Sequence, residues 1–398
     1  MNIALSTAAT PGPLRMPVPA HTRSRIESID ALRGLVILLM LVDHAREFFF
    51  LHAQVSDPMD VATTSPGLFA TRMAAHLCAP VFVALTGLAA FLYGDAKGSP
   101  AAASTFLFKR GLFLVALEWT VINFAWTFDL APATIFLQVI WAIGLSMIAL
   151  AALLHLPRPV LIAIGLGIAL GHNLLDGLAF ADGSRGRTIW AVLHERDHIA
   201  LPWGGTARTS YPLLPWIGVI ALGYAIGPWF RRDVDPAVRR TRLVVAGLGA
   251  LAIFLLLRSV NLYGEPLPWT VEADAVRSAM SFFNLTKYPP SASFLLLTLG
   301  IGALLLAGFE RLPATARTVL VTFGSVPLFF YIFHLYLLHI LNRLAATIWP
   351  VGETGFVSVP GVGGVWLLAA AVAIPSWFAC RWFAARKRAS NRWWMRYL

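Results

Sequence analysis

Arg33 and His44 stand eleven residues apart on one apolar segment. They fall within Ser28-Ile29-Asp30-Ala31-Leu32-Arg33-Gly34 and Asp43-His44-Ala45-Arg46-Glu47. At about 100° per residue a helix returns them to one face within roughly 20°, and its rise separates them by about 16 Å. That face carries a fixed cation near one end and a titratable imidazole near the other, with Ile37, Met40 and Leu41 between. Imidazole is the usual proton-transfer group near neutral pH. Guanidinium grips phosphate oxygens by two hydrogen bonds. The spacing suits a long ligand with an anionic head and a reactive far end, which is the shape of an acyl-coenzyme A. Asp43 would bond a neighbouring group or orient a base, although adjacent helix positions point apart and it does not orient His44 directly. The plainer alternative is two local ion pairs, Asp30–Arg33 and Asp43–Arg46.

Other ionisable and polar groups interrupt apolar stretches, where they are costly and are functional candidates by default. They include Glu118 and Asn123, then His76, then His172, Asn173 and Asp176. Arg258 and Asn261 follow, then Lys287-Tyr288-Pro289-Pro290, then His334, His339 and Arg343. Each also reads as a helix-to-helix hydrogen bond. His194-Glu195-Arg196-Asp197-His198 fits the H-E-x-x-H pattern of zinc proteases. That pattern needs a helix, a third ligand and an open coordination position. The next acidic residue after His198 is Asp233, which the topology below puts across the membrane. No metal is therefore expected.

The elements that position these residues follow from composition. Of 398 residues, 58% are hydrophobic and only 13% charged, and the mean hydropathy is +0.71. A soluble domain carries about 25% charged residues, so the chain has too few polar residues to coat soluble domains. It reads as an all-α, polytopic transmembrane helical bundle. Spans are placed near 31–50, 69–94, 106–127, 133–154, 159–178, 213–230, 242–262, 291–309, 317–343 and 363–385, about ten in all. Residues 1–25, rich in Ala, Pro and Thr, read as a disordered tail and not a signal peptide. Residues 26–388 form one transmembrane domain, and 389–398 a basic tail. Cys78 and Cys380 both lie in apolar runs, so no disulfide framework is expected.

The net charge of +11 is explained by topology without nucleic acid. With the N-terminus inside, Lys and Arg split roughly two to one in favour of the inner side. Both termini are then cytoplasmic, and the 51–68, 179–212 and 263–290 loops lie outside. Most histidines fall in the outer half. Arg outnumbers Lys 27 to 4, which points to a GC-rich bacterial source and the inner membrane.

The stretch Arg25-Ile26-Glu27-Ser28-Ile29-Asp30-Ala31-Leu32-Arg33-Gly34 with Asp43-His44 resembles the catalytic domain of the heparan-alpha-glucosaminide N-acetyltransferase family, in its bacterial branch. The resemblance continues through His76-Leu77-Cys78-Ala79-Pro80, Gly171-His172-Asn173 and Tyr211-Pro212-Leu213-Leu214-Pro215-Trp216. It runs on through Asn261-Leu262-Tyr263-Gly264, Thr286-Lys287-Tyr288-Pro289-Pro290-Ser291 and Phe323-Gly324-Ser325-Val326-Pro327 to Tyr331. The Arg33-to-His44 spacing is also similar to a motif of membrane acyltransferases that modify surface sugars. The resemblance implies transfer of an acetyl group from cytosolic acetyl-CoA, as co-substrate, to an acceptor across the membrane. It places the family's histidine after the first helix, where Phe48-Phe49-Phe50-Leu51-His52 matches. His44 and His52 are thus both candidate bases, with Asp43 beside them. Arg33, Lys109 and Arg110 are expected near the donor's phosphates. His76, Asn173, Lys287, Tyr288, His334 and His339 are expected around a sugar amine or hydroxyl acceptor. Expected partners are the lipid bilayer and a small-molecule or glycan acceptor, and the reading is compatible with a homodimer. A transporter without chemistry is the alternative.

Overall fold

The computed structural model describes residues 26–390 together with Arg392, Met395 and Tyr397. The tail read over residues 1–25 lies outside the described residues, as does most of the basic end beyond Ser390. The first helix is α1 (Glu27–Phe49). α2 (Pro66–His76) and α3 (Cys78–Lys97) follow one another closely. α4 (Pro100–Leu117) runs through a π-helical turn (Glu118–Ile122) into α5 (Asn123–Thr127). Strand β1 (Thr134–Leu137) leads into α6 (Val139–Leu153), and α7 (Arg158–Gly171) ends in a 3-10 turn (His172–Leu175). α8 (Arg185–Leu193), β2 (His198–Ala200) and β3 (Thr206–Thr209) fill the next connection. The rest is helical: α9 (Leu214–Ala225), α10 (Pro236–Val260), α11 (Ala275–Phe283), α12 (Ala292–Gly308), α13 (Ala314–Gly324), α14 (Pro327–Ala345) and α15 (Gly361–Ala389).

Helix starts follow local chemistry. Ser65, Ser99 and Asp235 accept a hydrogen bond from a backbone N–H of the first turn, and a proline follows each. Proline gives up no bond there, because the first N–H groups have no partner within the helix. Among the described residues, six segments are long and apolar enough to cross a membrane: Pro66–Lys97, Arg158–Leu175, Pro236–Val260, Ala292–Arg311, Pro327–Ala345 and Gly361–Ala389. Helix α1, at 23 residues, has the length, but its charged residues set it apart. Helices α6 and α9 are apolar but shorter. Apolar helices of about 10–14 residues usually serve as buried core. Helix α9, with Trp216 fully buried, does so, packing between α3, α6 and α7.

Two departures from the sequence reading have physical causes. The stretch read as one span over 133–154 opens as strand, because β1 pairs in parallel with β3, Thr134 opposite Thr206 through Leu137 opposite Thr209. β2 completes this small sheet on the far side of β3, so the bundle is not purely helical. The stretch read as one span over 317–343 is two helices, broken at Ser325 and Val326. Pro327 has no N–H to continue the ladder and pushes the residue before it out of helical geometry. Glu118 and Asn123 act as ties, the hydrogen-bonding alternative offered for them from sequence. Glu118 accepts the Trp141 N–H at 2.9 Å, and Asn123 exchanges hydrogen bonds with the Phe136 backbone at 2.7 and 3.0 Å.

Helix α1 is central and packs on α13, α14, α15 and α3. Its fit on α13 depends on two glycines. A Cβ on Gly34 would collide with the Leu320 carbonyl, and one on Gly324 with the Asp30 carbonyl. Small residues allow such backbone contact between membrane helices. One end of the bundle is tied by ion pairs: Glu27–Arg317 at 3.0 Å, Asp95–Arg231 at 3.0 Å, and Glu310 with Arg239 and Arg240 at 2.5 and 3.3 Å. We call this the basic end. The sheet and the long connections lie at the other. Arg258, almost wholly buried, donates to the carbonyls of Leu267, Ser281, Phe282 and Asn284. It pins one of those connections.

Candidate active site

His44 comes from the far half of α1, and His334 from the middle of α14. His44 Nδ1 lies 2.7 Å from His334 Nε2, and His334 Nδ1 lies 2.7 Å from the Phe330 carbonyl oxygen. The rings are within 8° of parallel. A carbonyl only accepts, so His334 carries its proton on Nδ1 and presents a lone pair at Nε2. His44 must then donate from Nδ1. Its Nε2 lone pair is left facing outward, the arrangement required of a general base. His334, fully buried, orients it.

His44 stands where two cavities share a wall. Asp43, His44 and Tyr211 line both. The narrow cavity, about 110 Å³, also has Arg110, Thr86, Lys287 and Tyr331 in its wall. Met40, Asp43 and His44 of α1 face Arg110 and Leu114 of α4 across this cavity. The wide cavity, about 580 Å³, is lined by Arg46, Arg72, Arg196, Arg208, Tyr288 and Trp126 among others. It falls inside the roughly 300–1,000 Å³ usual for small-ligand pockets. The narrow one falls below that range.

Asp43 does not orient His44. It accepts from Arg72 Nη1 at 2.8 and 2.9 Å and from Arg46 Nε at 3.1 Å, and Arg46 also pairs with Glu47. Arg72 on α2 was not among the residues singled out from sequence. The signal was present, since Arg72 falls inside the apolar span read over 69–94, where a charge is a candidate by default. Lys287 is buried, and its backbone N–H donates to Asp57 at 3.2 and 3.3 Å. Burial pushes the Asp57 carboxyl above its ordinary pKa, against the pull of the Lys287 charge. The Tyr288 hydroxyl donates to that of Tyr211 at 3.2 Å, and Arg196 lies over the Tyr288 ring at 4.8 Å.

Two further donors were missed. The Tyr331 hydroxyl and the Trp126 indole N–H are neighbours, both buried and neither in a well-formed hydrogen bond. Their rings meet His44 edge-on at 5.8 and 5.0 Å. With the Trp126 N–H directed toward the Tyr331 oxygen, the Tyr331 hydroxyl is a donor beside the base, as an oxyanion site requires.

The remaining expected residues lie elsewhere. His52 is exposed, in contact with Phe50 at 4.4 Å, and lines neither cavity. Arg33 bonds Asp30 at 3.2 Å and the Leu85 carbonyl at 3.1 Å. Lys109 is exposed. His76 is buried against Phe294 at 5.1 Å. Asn173 Oδ1 accepts the Ala292 N–H at 2.8 Å. His339 bonds the Ala125 carbonyl at 2.9 Å and stacks on Phe128 at 3.7 Å. The H-E-x-x-H geometry is not formed. Helix α8 ends before His194, and His198 sits exposed in β2.

A family model described as the catalytic domain of heparan-alpha-glucosaminide N-acetyltransferase matches residues 25–262. This stretch contains α1 to α9 and all of α10, but stops before Lys287, Tyr331 and His334. Comparison with curated proteins gives no match.

Proposed function

Because the chain belongs to the heparan-alpha-glucosaminide N-acetyltransferase catalytic family, we propose that it is a membrane-embedded acetyltransferase. Acetyl-CoA enters the narrow cavity from the basic, cytosolic end, and a sugar amine or hydroxyl enters the wide cavity from the other side. The observation that carries this reading is His44, held by His334 with its free nitrogen at the wall between the two cavities. His44 Nε2 removes the acceptor's proton as the acceptor nitrogen or oxygen bonds to the acetyl carbonyl carbon. The Tyr331 hydroxyl donates to the oxygen that becomes negative. The carbon–sulfur bond then breaks, and His44 returns the proton to the departing thiolate. Asp43, Lys287 and Tyr288 shape the acceptor side. The helices would cross about ten times, with both termini cytoplasmic in a bacterial inner membrane.

The test is release of free thiol from acetyl-CoA by detergent-purified protein supplied with amino-sugars. Acceptor-dependent release is expected. Failure to bind acetyl-CoA at all would favour a transporter without chemistry. Arg110→Ala is expected to weaken acetyl-CoA binding by about 1–3 kcal/mol, as for a hydrogen bond to a charged group. Lys109→Ala should not, because that side chain points away from the cavity. Arg33→Ala should lower thermal stability more than affinity, since Arg33 already holds Asp30 and Leu85. Equal affinity loss in all three variants would remove Arg110 from its assigned place.

Sidedness has its own test. Cysteines introduced at the exposed Asp182 and at Ser390 should differ in intact cells. An impermeant thiol reagent is expected to label only the first. The native Cys78 and Cys380 are buried and should give little background. Labelling at Ser390 alone would reverse the orientation.

A further inference from the structure

We infer that His172, Asp176 and His194 form a binding site for a divalent zinc ion at the end of α7 remote from the basic end. Each offers one ligand atom, and these atoms all lie within 4.8 Å of one another. His172 is 2% and His194 3% exposed. Neither ring nitrogen of His172 makes a well-formed hydrogen bond, nor does His194 Nδ1. A buried imidazole without a well-formed partner is costly, and a metal ion would supply one. His194 Nε2 faces Asp176 Oδ1 at 2.8 Å, and the two imidazoles meet edge to face at 5.4 Å.

The surroundings match what metal ligands usually carry behind them. Asn173 Nδ2 donates to the second Asp176 oxygen at 2.9 Å, which orients the carboxylate. The Pro290 carbonyl lies beside His172 and can take the proton of whichever nitrogen does not face the ion. Such partners fix ligand orientation and tautomer. Two imidazoles and one carboxylate suit zinc better than magnesium or calcium, which prefer oxygen. The Asp176 side chain is 31% exposed, giving the ion a way in.

The site would act as a clip. His172 and Asp176 belong to the end of α7. His194 opens the segment that runs through Arg196 to β2 and β3, and this segment puts Arg196 and Arg208 into the wall of the wide cavity. Zinc would hold that wall against the helix bundle whether or not the chain transfers acetyl groups.

The experiment uses the full-length, tag-free protein in detergent, stripped with a chelator and dialysed. Zinc is then added, and cobalt serves as a visible-absorbing stand-in. One zinc per chain is expected, with a rise in melting temperature and the visible bands of low-coordinate cobalt. His172→Ala and His194→Ala should each weaken zinc binding at least about tenfold and abolish the rise. Asp176→Asn, at a partly exposed position, should do the same without threatening the fold. His198→Ala and His52→Ala should bind like the parent. Zinc binding that survives in Asp176→Asn and His172→Ala, or that is lost in His198→Ala, would overturn the assignment, as would no binding by the parent at micromolar zinc.

Discussion

His44→Ala is expected to cut acetyl transfer by about 10²–10⁴, the usual cost of removing a positioned general base, while acetyl-CoA still binds. His52→Ala should stay near parental activity, because its exposed side chain lines neither cavity. The His44 role rests on tautomer, so the decisive comparison is at His334. His334→Leu removes the acceptor that holds the His44 Nδ1 proton and should lower kcat with little change in acetyl-CoA affinity. His334→Gln offers a carbonyl oxygen in that direction and should recover part of the loss. Tyr331→Phe should lower kcat and spare binding, as removal of an oxyanion donor does. Full activity in His44→Ala, with folding confirmed by thermal melting, would sink the mechanism. Activity lost in His52→Ala instead would move the base to the family-matched position.

The first helix was legible because its chemistry is local. A helical period and an eleven-residue spacing place Arg33 and His44 on one face whatever surrounds them. Both ion pairs proposed as the plain alternative, Asp30–Arg33 and Asp43–Arg46, are also present. His334 could be flagged as a costly buried group, but its distance of 290 residues from His44 hid the pairing. Tyr331 and Trp126 gave no signal, since aromatic residues are ordinary in apolar helices. The H-E-x-x-H pattern was set aside for want of a third ligand after His198, whereas the groups that gather around His194 come from residues 172 and 176. Span placement failed where proline chemistry or strand pairing cut an apolar run, at Pro327 and at β1. Hydropathy averages over such breaks.

Arg72→Met is expected to carry the largest stability cost among the site substitutions. Arg72 joins α2 to α1 through both oxygens of Asp43, and the two side chains are only 8% and 13% exposed. Removing one partner of a buried pair typically costs about 3–5 kcal/mol, because the other charge stays buried without compensation. Arg46 remains on Asp43 at 3.1 Å, so the loss should fall near the lower end, about 3 kcal/mol. Asp43→Asn alone leaves Arg72 and Arg46 crowded near Lys287 and should also destabilise. The double variant Arg72→Met with Asp43→Asn leaves neither member of this pair facing the other's loss and should cost less than the sum of the single losses. That non-additivity is the signature of direct coupling, and simple additivity in detergent melting would show that Arg72 acts through packing alone. The cycle also separates two roles of Asp43. If it serves only to dock α2, the double variant should regain acetyl transfer along with stability. If Asp43 also helps seat the acceptor in the wide cavity, stability should return while KM for the acceptor stays raised.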